Sequence, residues 1–446
     1  MTDSLAPSVA KVPAPTRTTL ADKPVFTGWQ AGLRYGAMGF PLAFVALPLY
    51  VVLPNHYATT LHVSLAALGA LMLGARLLDA VIDPLLGRWS DRLYARSNNH
   101  VLRWGGVAAL ALALGFALLF FPLVQMQAAL LIWAGLALLL TYTAFSALSI
   151  LHQSWGARLG GDEAQRSRIV AWREGLGLLG VVLASVAPFT LGMEATTALF
   201  ALALAGGWRV WRKAMQPPSV PRVQAAHAPI PLWLPFSRPA FRALLAVFMA
   251  NGIASAAPAT LILFFVQDRL QAPVHLQPFF LGSYFLCAAL SMPLWLRLVP
   301  RLGLARTWGL GMLMAVAVFA FAAQLGAGDS AAFMVVCALS GVALGTDLAL
   351  PAALLAGTIA ASGDRGQAEG TYFGWWNFAT KLNLALAAGV ALPLLGLSGY
   401  TPGAQEAAAL RTLTVAYCLV PCALKLLAAT LLYTLIIRKP PCNDAS

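Results

Sequence analysis

The sequence predicts an all-α membrane protein whose twelve transmembrane helices form two six-helix halves. Three observations carry that expectation: the composition, the spacing of apolar segments, and a single proline-rich basic gap near the centre. Of 446 residues, 60% are hydrophobic and 10% charged, and the mean hydropathy is +0.76. A soluble chain of that composition lacks the polar surface needed to cover itself. A bilayer-spanning helix takes about 20 residues plus a short loop, so this length holds twelve spans and leaves no room for a further soluble domain.

Apolar segments fall at about 30–54, 62–87, 102–122, 126–153, 169–192 and 195–211, and then at about 240–267, 277–299, 306–326, 331–361, 371–397 and 409–437. The first six make an N-terminal bundle over 29–211, and the last six a C-terminal bundle over 240–437. Between them, 212–239 reads as a linker rich in Pro and basic residues. Residues 1–28, rich in Pro, Ala, Ser and Thr, read as a disordered tail without the apolar core and cleavage site of a secretory signal. Residues 438–446 form a second tail. Two equal halves around a linker are the sequence mark of proteins that rock about a site at the bilayer midplane. A degenerate repeat agrees: GRWSDRLYAR follows span two and LRLVPRLGLAR follows span eight.

The net charge of +13 does not gather on one face as a nucleic-acid surface would. Arg88, Arg92, Arg96 and Arg103 follow span two, and Arg158, Arg166 and Arg168 follow span four. Arg209, Arg212, Lys213, Arg222, Arg238 and Arg242 occupy or flank the central gap, and Arg301 and Arg306 separate spans eight and nine. The intervening loops carry almost no basic residues, so the positive-inside rule puts both termini in the cytoplasm of a multi-pass protein, as in a bacterial inner membrane. The five cysteines, Cys287, Cys337, Cys418, Cys422 and Cys442, lack metal-ligand spacing and read as packing residues. The sequence has no Walker, HExxH or GxSxG pattern, and it is not expected to be an enzyme or to hold a cofactor.

The densest chemistry lies in ARLLDAVIDPLLGRWSDR, residues Ala75 to Arg92. Arg76, Asp79 and Asp83 share one helix face inside an apolar run. A charge at the bilayer centre costs about 2.5–3.5 kcal/mol on insertion scales, so such a face is expected to line a path for ions or solutes. The order Arg, Asp, Asp-Pro, Gly resembles the second helix of the glycoside-pentoside-hexuronide:cation symporters, the melibiose permease-like family of the major facilitator superfamily. GRWSDR is similar to the loop shared across that superfamily, and LRYGAMG (Leu33 to Gly39), TYT (Thr141 to Thr143) and Lys381 in WNFATKLNLA extend the likeness over most of the chain.

The resemblance implies the major facilitator fold and a cation site built from Asp79, Asp83 and Thr143. Ser146 stands where the family pattern has an aspartate, which removes one formal charge. Ala43 stands where melibiose permease has its sugar-binding aspartate, so a galactoside would lose its hydroxyl partner there. A hard Na⁺ wants oxygen ligands, whereas H⁺ needs only one carboxylate; either ion fits Asp79 and Asp83 at this stage. Lys381, near mid-depth in span eleven, and Arg76 are expected to compensate the carboxylates. Arg173, Asn251, Asp347, Trp376 and Asn377 are the candidates for the solute cavity. Asp347 needs a partner on another helix, with Lys381 and Lys425 available. His152 reads as a satisfied interfacial residue, and Pro41, Pro48, Pro84, Pro258, Pro351 and Pro393 as kink sites.

The expected activity is therefore cation-coupled transport of a sugar or related small solute by a monomer in the lipid bilayer. The alternatives are a proton-linked exporter or lysolipid carrier, and a non-transporting membrane sensor.

Overall fold

The computed structural model describes residues 26–218, 230–397, 400, 403 and 405–438. The expected C-terminal tail with Cys442, most of the N-terminal tail and the middle of the linker lie outside the described residues. Among the described residues, twelve long helices follow one another. They are α1 (Gly39–Thr59), α2 (Leu65–Arg96), α3 (Asn98–Phe120), α4 (Gln127–Leu159), α5 (Glu163–Thr190) and α6 (Gly192–Trp211), then α7 (Pro239–Arg269), α8 (Gln277–Leu302), α9 (Leu304–Ala322), α10 (Ser330–Ala361), α11 (Glu369–Leu397) and α12 (Ala407–Ile437). Among the described residues, nine helices are long and apolar enough to cross a membrane by length and composition alone. The three that miss this measure are α2, α6 and α11, and two of these, α2 and α11, carry mid-helix charges.

Several boundaries differ from the sequence expectation. Span one is broken: the short helix Gly28–Gly36 precedes α1, and α1 itself passes through a π-helical turn at Pro48–Val52. The predicted loop GRWSDR is helical, because α2 continues to Arg96 despite Pro84. Hydropathy reports only the stretch in lipid, and helices that project past the bilayer keep their hydrogen-bond ladder through polar turns. Ser97 then stops α2 and caps α3 by accepting from the backbone N of His100. The α4–α5 turn uses Gly160 and Gly161, whose φ angles of +71° and +94° are the region where side chains with Cβ are strained. Asp162 caps α5 by accepting from the Gln165 N.

α2 shows the inside-out amphipathicity of a lipid-bathed helix. Leu73, Leu77, Val81 and Leu85 are exposed, while Asp79, Asp83 and Asp91 are buried. One apolar core joins α1 to α6, and a second occupies the outer part of the C-terminal half around Phe265, Phe333 and Tyr417. A third crosses between the halves: Ile150 of α4 and Ala171 and Leu178 of α5 cluster with Met292 of α8 and Leu350 of α10.

The halves also meet along α2 and α11, which run antiparallel. An ideal Cβ at Gly87 would lie 2.3 Å from the Gly370 O, one at Gly370 would lie 2.3 Å from the Gly87 O, and one at Gly374 would lie 2.6 Å from the Asp83 O. Only glycine permits this approach. At the end of the molecule that carries the basic clusters, the seam closes in a buried ionic latch. Asp91 caps the start of α11, accepting at 2.7 Å from the backbone N of Gly370 and of Thr371 and from the Thr371 hydroxyl. Arg158 of α4 lies 3.3 Å from Asp91 and 2.9 Å from Glu369, and donates to the Gly366 O at 2.6 Å. Glu163 of α5 accepts from the Leu304 N at the start of α9, 2.8 Å away. This end is shut.

Two outcomes follow from the seam. Gly87→Leu forces α2 off α11, an overpacking of about 1–3 kcal/mol that lowers the thermal unfolding midpoint of the purified protein; an unchanged midpoint would refute the close approach. Arg158→Met leaves Asp91 and Glu369 buried together without a cation, at a cost of about 3–5 kcal/mol, and opens the shut end. Thiol labelling of a cysteine placed at Ser90 should then rise from near zero, whereas continued protection would show that the latch is dispensable.

Candidate functional site

Two turns along α11 from Gly374, the close seam delivers Lys381 to α2. Its ammonium stands 2.6 Å from Asp79 Oδ2 and 2.7 Å from Asp83 Oδ2, and it donates to Asp83 Oδ1 and to Ser146 Oγ, each at 2.8 Å. Ser146 in turn donates to Asp79 Oδ1 at 2.8 Å. The side chain of Asp83 is fully buried, that of Asp79 is 4% exposed, and that of Lys381 18%. Three helices thus contribute: the i, i+4 pair on α2, one hydroxyl from α4 and one amine from α11. Two carboxylates facing one ammonium leave the ionised cluster with a formal charge of −1 in a largely buried setting. Uncompensated charge is costly there.

Other sequence candidates fall elsewhere. Thr143 lies one turn before Ser146 on α4, is half-buried, and among the described residues makes no side-chain hydrogen bond. Arg76 does not join the carboxylates; its guanidinium lies 4.0 Å over the ring of Tyr50, where a half-buried cation is stabilised by the aromatic face. Arg173 is held by Glu174 at 2.5 Å and by the Ser149 hydroxyl at 3.4 Å. Trp376 is buried and stacked on Phe248 with centroids 3.8 Å apart, so its face is already covered, and Trp375 donates to the Leu232 O at the end of the linker. Asn377 is half-buried one turn before Lys381.

Asn251 and Asp347 come together in a second cluster, wholly within the C-terminal half, with Lys425 rather than Lys381. Asp347 Oδ2 accepts from Lys425 at 2.6 Å and from Ser255 at 3.2 Å, while Oδ1 accepts from Asn251 at 3.0 Å and from Trp308 at 2.9 Å. Lys425 also donates to Asn251 Oδ1 at 2.9 Å. The expected single solute cavity, with Arg173, Trp376 and Asn377 beside Asn251 and Asp347, is therefore divided among separate environments.

His152 lies inside the N-terminal half rather than at an interface. It is fully buried, bonded through Nε2 to the Tyr35 O at 2.9 Å and stacked on the Tyr35 ring at 4.4 Å. Sequence reasoning missed the latch residues Asp91, Arg158 and Glu369. Asp91 was visible inside GRWSDR, but Arg158 registered only as a basic flank, and nothing local marks Glu369 as its partner 211 residues away.

The description MFS/sugar transport protein matches residues 33–439. No curated protein matches the sequence. Among solved structures, a bacterial homologue of the iron transporter ferroportin in an outward-facing state superposes with a TM-score of 0.66 at 18% identity, covering 92% of this chain and 99% of that one. The Escherichia coli fucose:proton symporter FucP, in its outward conformation, gives a TM-score of 0.63 at 13% identity, over 90% and 98% of the two chains. The human organic anion transporter TETRAN gives 0.60 at 19%, over 90% and 97%. These likenesses establish the fold, and the match over nearly the whole length establishes a membrane transporter rather than an enzyme. The chain belongs to the MFS/sugar transport protein family of the major facilitator superfamily.

Proposed function

We propose that the protein is a cation-coupled symporter that moves a sugar or related small solute by alternating access, with the proton as coupling ion. The reading rests on the Asp79–Asp83–Ser146–Lys381 cluster at the seam between the halves. Its formal charge of −1 is cancelled by one monovalent cation, and its members come from both halves, so loading the cation changes what holds α2 to α11. The proton is favoured because the ammonium already takes oxygens of both carboxylates and of Ser146 at 2.6–2.8 Å. Na⁺ needs several oxygens at once and would have to displace Lys381; a proton needs one carboxylate oxygen.

In this scheme the shut, basic end faces the cytoplasm, as the positive-inside rule implies, and the protein stands ready to receive solute from the opposite side. Protonation of Asp79 or Asp83 frees Lys381 from one of its two anions and weakens the grip of α11 on α2. Solute binding between the halves then completes the loaded state, and the latch at Asp91, Arg158 and Glu369 opens. Asn377, one turn from Lys381, is placed to offer an amide to a solute hydroxyl. Ala43 offers none, which argues for a solute other than a galactoside.

In proteoliposomes, Asp79→Cys and Asp83→Cys should abolish concentrative uptake, bringing the inside-to-outside ratio of labelled solute to about one, while exchange at equal concentrations persists. Full accumulation by either variant would sink the scheme. Wild-type uptake should follow an imposed pH gradient and ignore an imposed Na⁺ gradient; the reverse pattern would assign the site to Na⁺.

A further inference from the structure

The C-terminal half holds a partly open cavity of about 310 Å³ between α7, α8, α9, α10 and α12, to which neither the N-terminal half nor α11 contributes. That volume is at the lower end of small-molecule sites, which run from about 300 to 1,000 Å³. Its walls are mainly apolar, including Pro258, Ile262, Leu281 and Phe319, and Asp347 and Lys425 stand at its edge. We propose that this cavity is a ligand site separate from the coupling cluster, taking a neutral, mostly apolar molecule that carries one hydrogen-bond-accepting oxygen.

The hydrogen-bond inventory sets the ligand's chemistry. Asp347 already accepts four bonds, two on each oxygen, and has nothing left to offer a donor. Lys425 has three N–H groups and spends two, on Asp347 and Asn251. The hydroxyl of Tyr417, a residue 3% exposed on the cavity wall, makes no hydrogen bond among the described residues, and neither does that of Tyr284, which also lines the cavity. Every unused proton facing this space therefore calls for an acceptor. Charge is settled as well. Asp347 and Lys425 cancel, so a bound ion of either sign would remain uncompensated in a low-dielectric interior. An apolar body with one carbonyl oxygen satisfies both conditions, and a buried ion pair that could be replaced by apolar packing gains a use.

Four naphthalenes of similar size test this by equilibrium binding to the purified full chain: 2-acetylnaphthalene, 2-ethylnaphthalene, 2-naphthoate and 2-naphthylmethylammonium. The ketone should bind at least about tenfold tighter than the hydrocarbon, as a hydrogen bond from a charged donor requires, and both ions should bind more weakly than the ketone. Ser340→Phe, which fills the cavity from α10, and Ala315→Leu, which fills it from α9, should each remove ketone binding while gel filtration stays monodisperse. The double change Lys425→Met with Asp347→Asn keeps the site neutral and should bring the ketone and hydrocarbon within about twofold. Asp83→Cys should leave ketone binding unchanged, which separates this site from the coupling cluster. Equal binding of ketone and hydrocarbon in the wild type, tighter binding of either ion, retention in both filled variants, or no ketone binding would each overturn the proposal.

Discussion

The close approach of α2 and α11 governs what the rest of the molecule can do. Along α2, Asp79, Asp83, Gly87 and Asp91 recur every fourth residue and so share one face. Opposite them run Lys381, Gly374 and Gly370, and the absence of side chains at the glycines sets the distance at which the two ends work. At one end the seam holds an ammonium among two carboxylates and a hydroxyl. At the other, a carboxylate caps a helix start and an arginine bridges two acids. Between the two ends, the glycine contacts bring backbone against backbone with no side chain interposed.

The two ends differ in what sustains them. Asp91 accepts three hydrogen bonds from α11 besides its arginine, so the latch is satisfied by geometry. The Lys381 cluster is held chiefly by charge, and charge can be altered by a single ion. Along α11 the two ends stand about three helical turns apart, from Lys381 to the capped N–H groups of Gly370 and Thr371. The C-terminal half repeats the theme with a different balance. There Asp347 and Lys425 are matched one to one and tied down by Asn251, Ser255 and Trp308, so that cluster has no unmet charge.

Much of this was legible in the sequence because it is a matter of period and polarity. The apolar segments located the helices, and the four-residue spacing of Asp79 and Asp83 put them on one face. The amine at mid-depth in α11 could be picked out because lipid leaves it nowhere else to go. What was not legible depends on three-dimensional register. Arg76 shares the face of Asp79 by spacing but turns to Tyr50, since a long side chain chooses among neighbours that the sequence does not name. Trp376 offered a flat ring to a solute until Phe248 of α7 took its face. Asp347 plainly needed a cation, yet choosing Lys425 over Lys381 required knowing which helix stands beside α10. The helical continuation of α2 through GRWSDR escaped notice because hydropathy ends at the membrane surface while the helix does not.

Under the proposed proton coupling, the charge count at Lys381 has an electrical consequence. With a proton on board and an uncharged solute, the cluster is neutral, and its reorientation moves no net charge through the bilayer. Empty, it carries −1 as the halves swing back. A membrane potential is worth about 2.3 kcal/mol per elementary charge per 100 mV when the whole field is crossed. A negative interior would therefore push the unloaded carrier outward and leave the loaded one untouched, so voltage would govern how fast the protein resets rather than how it delivers.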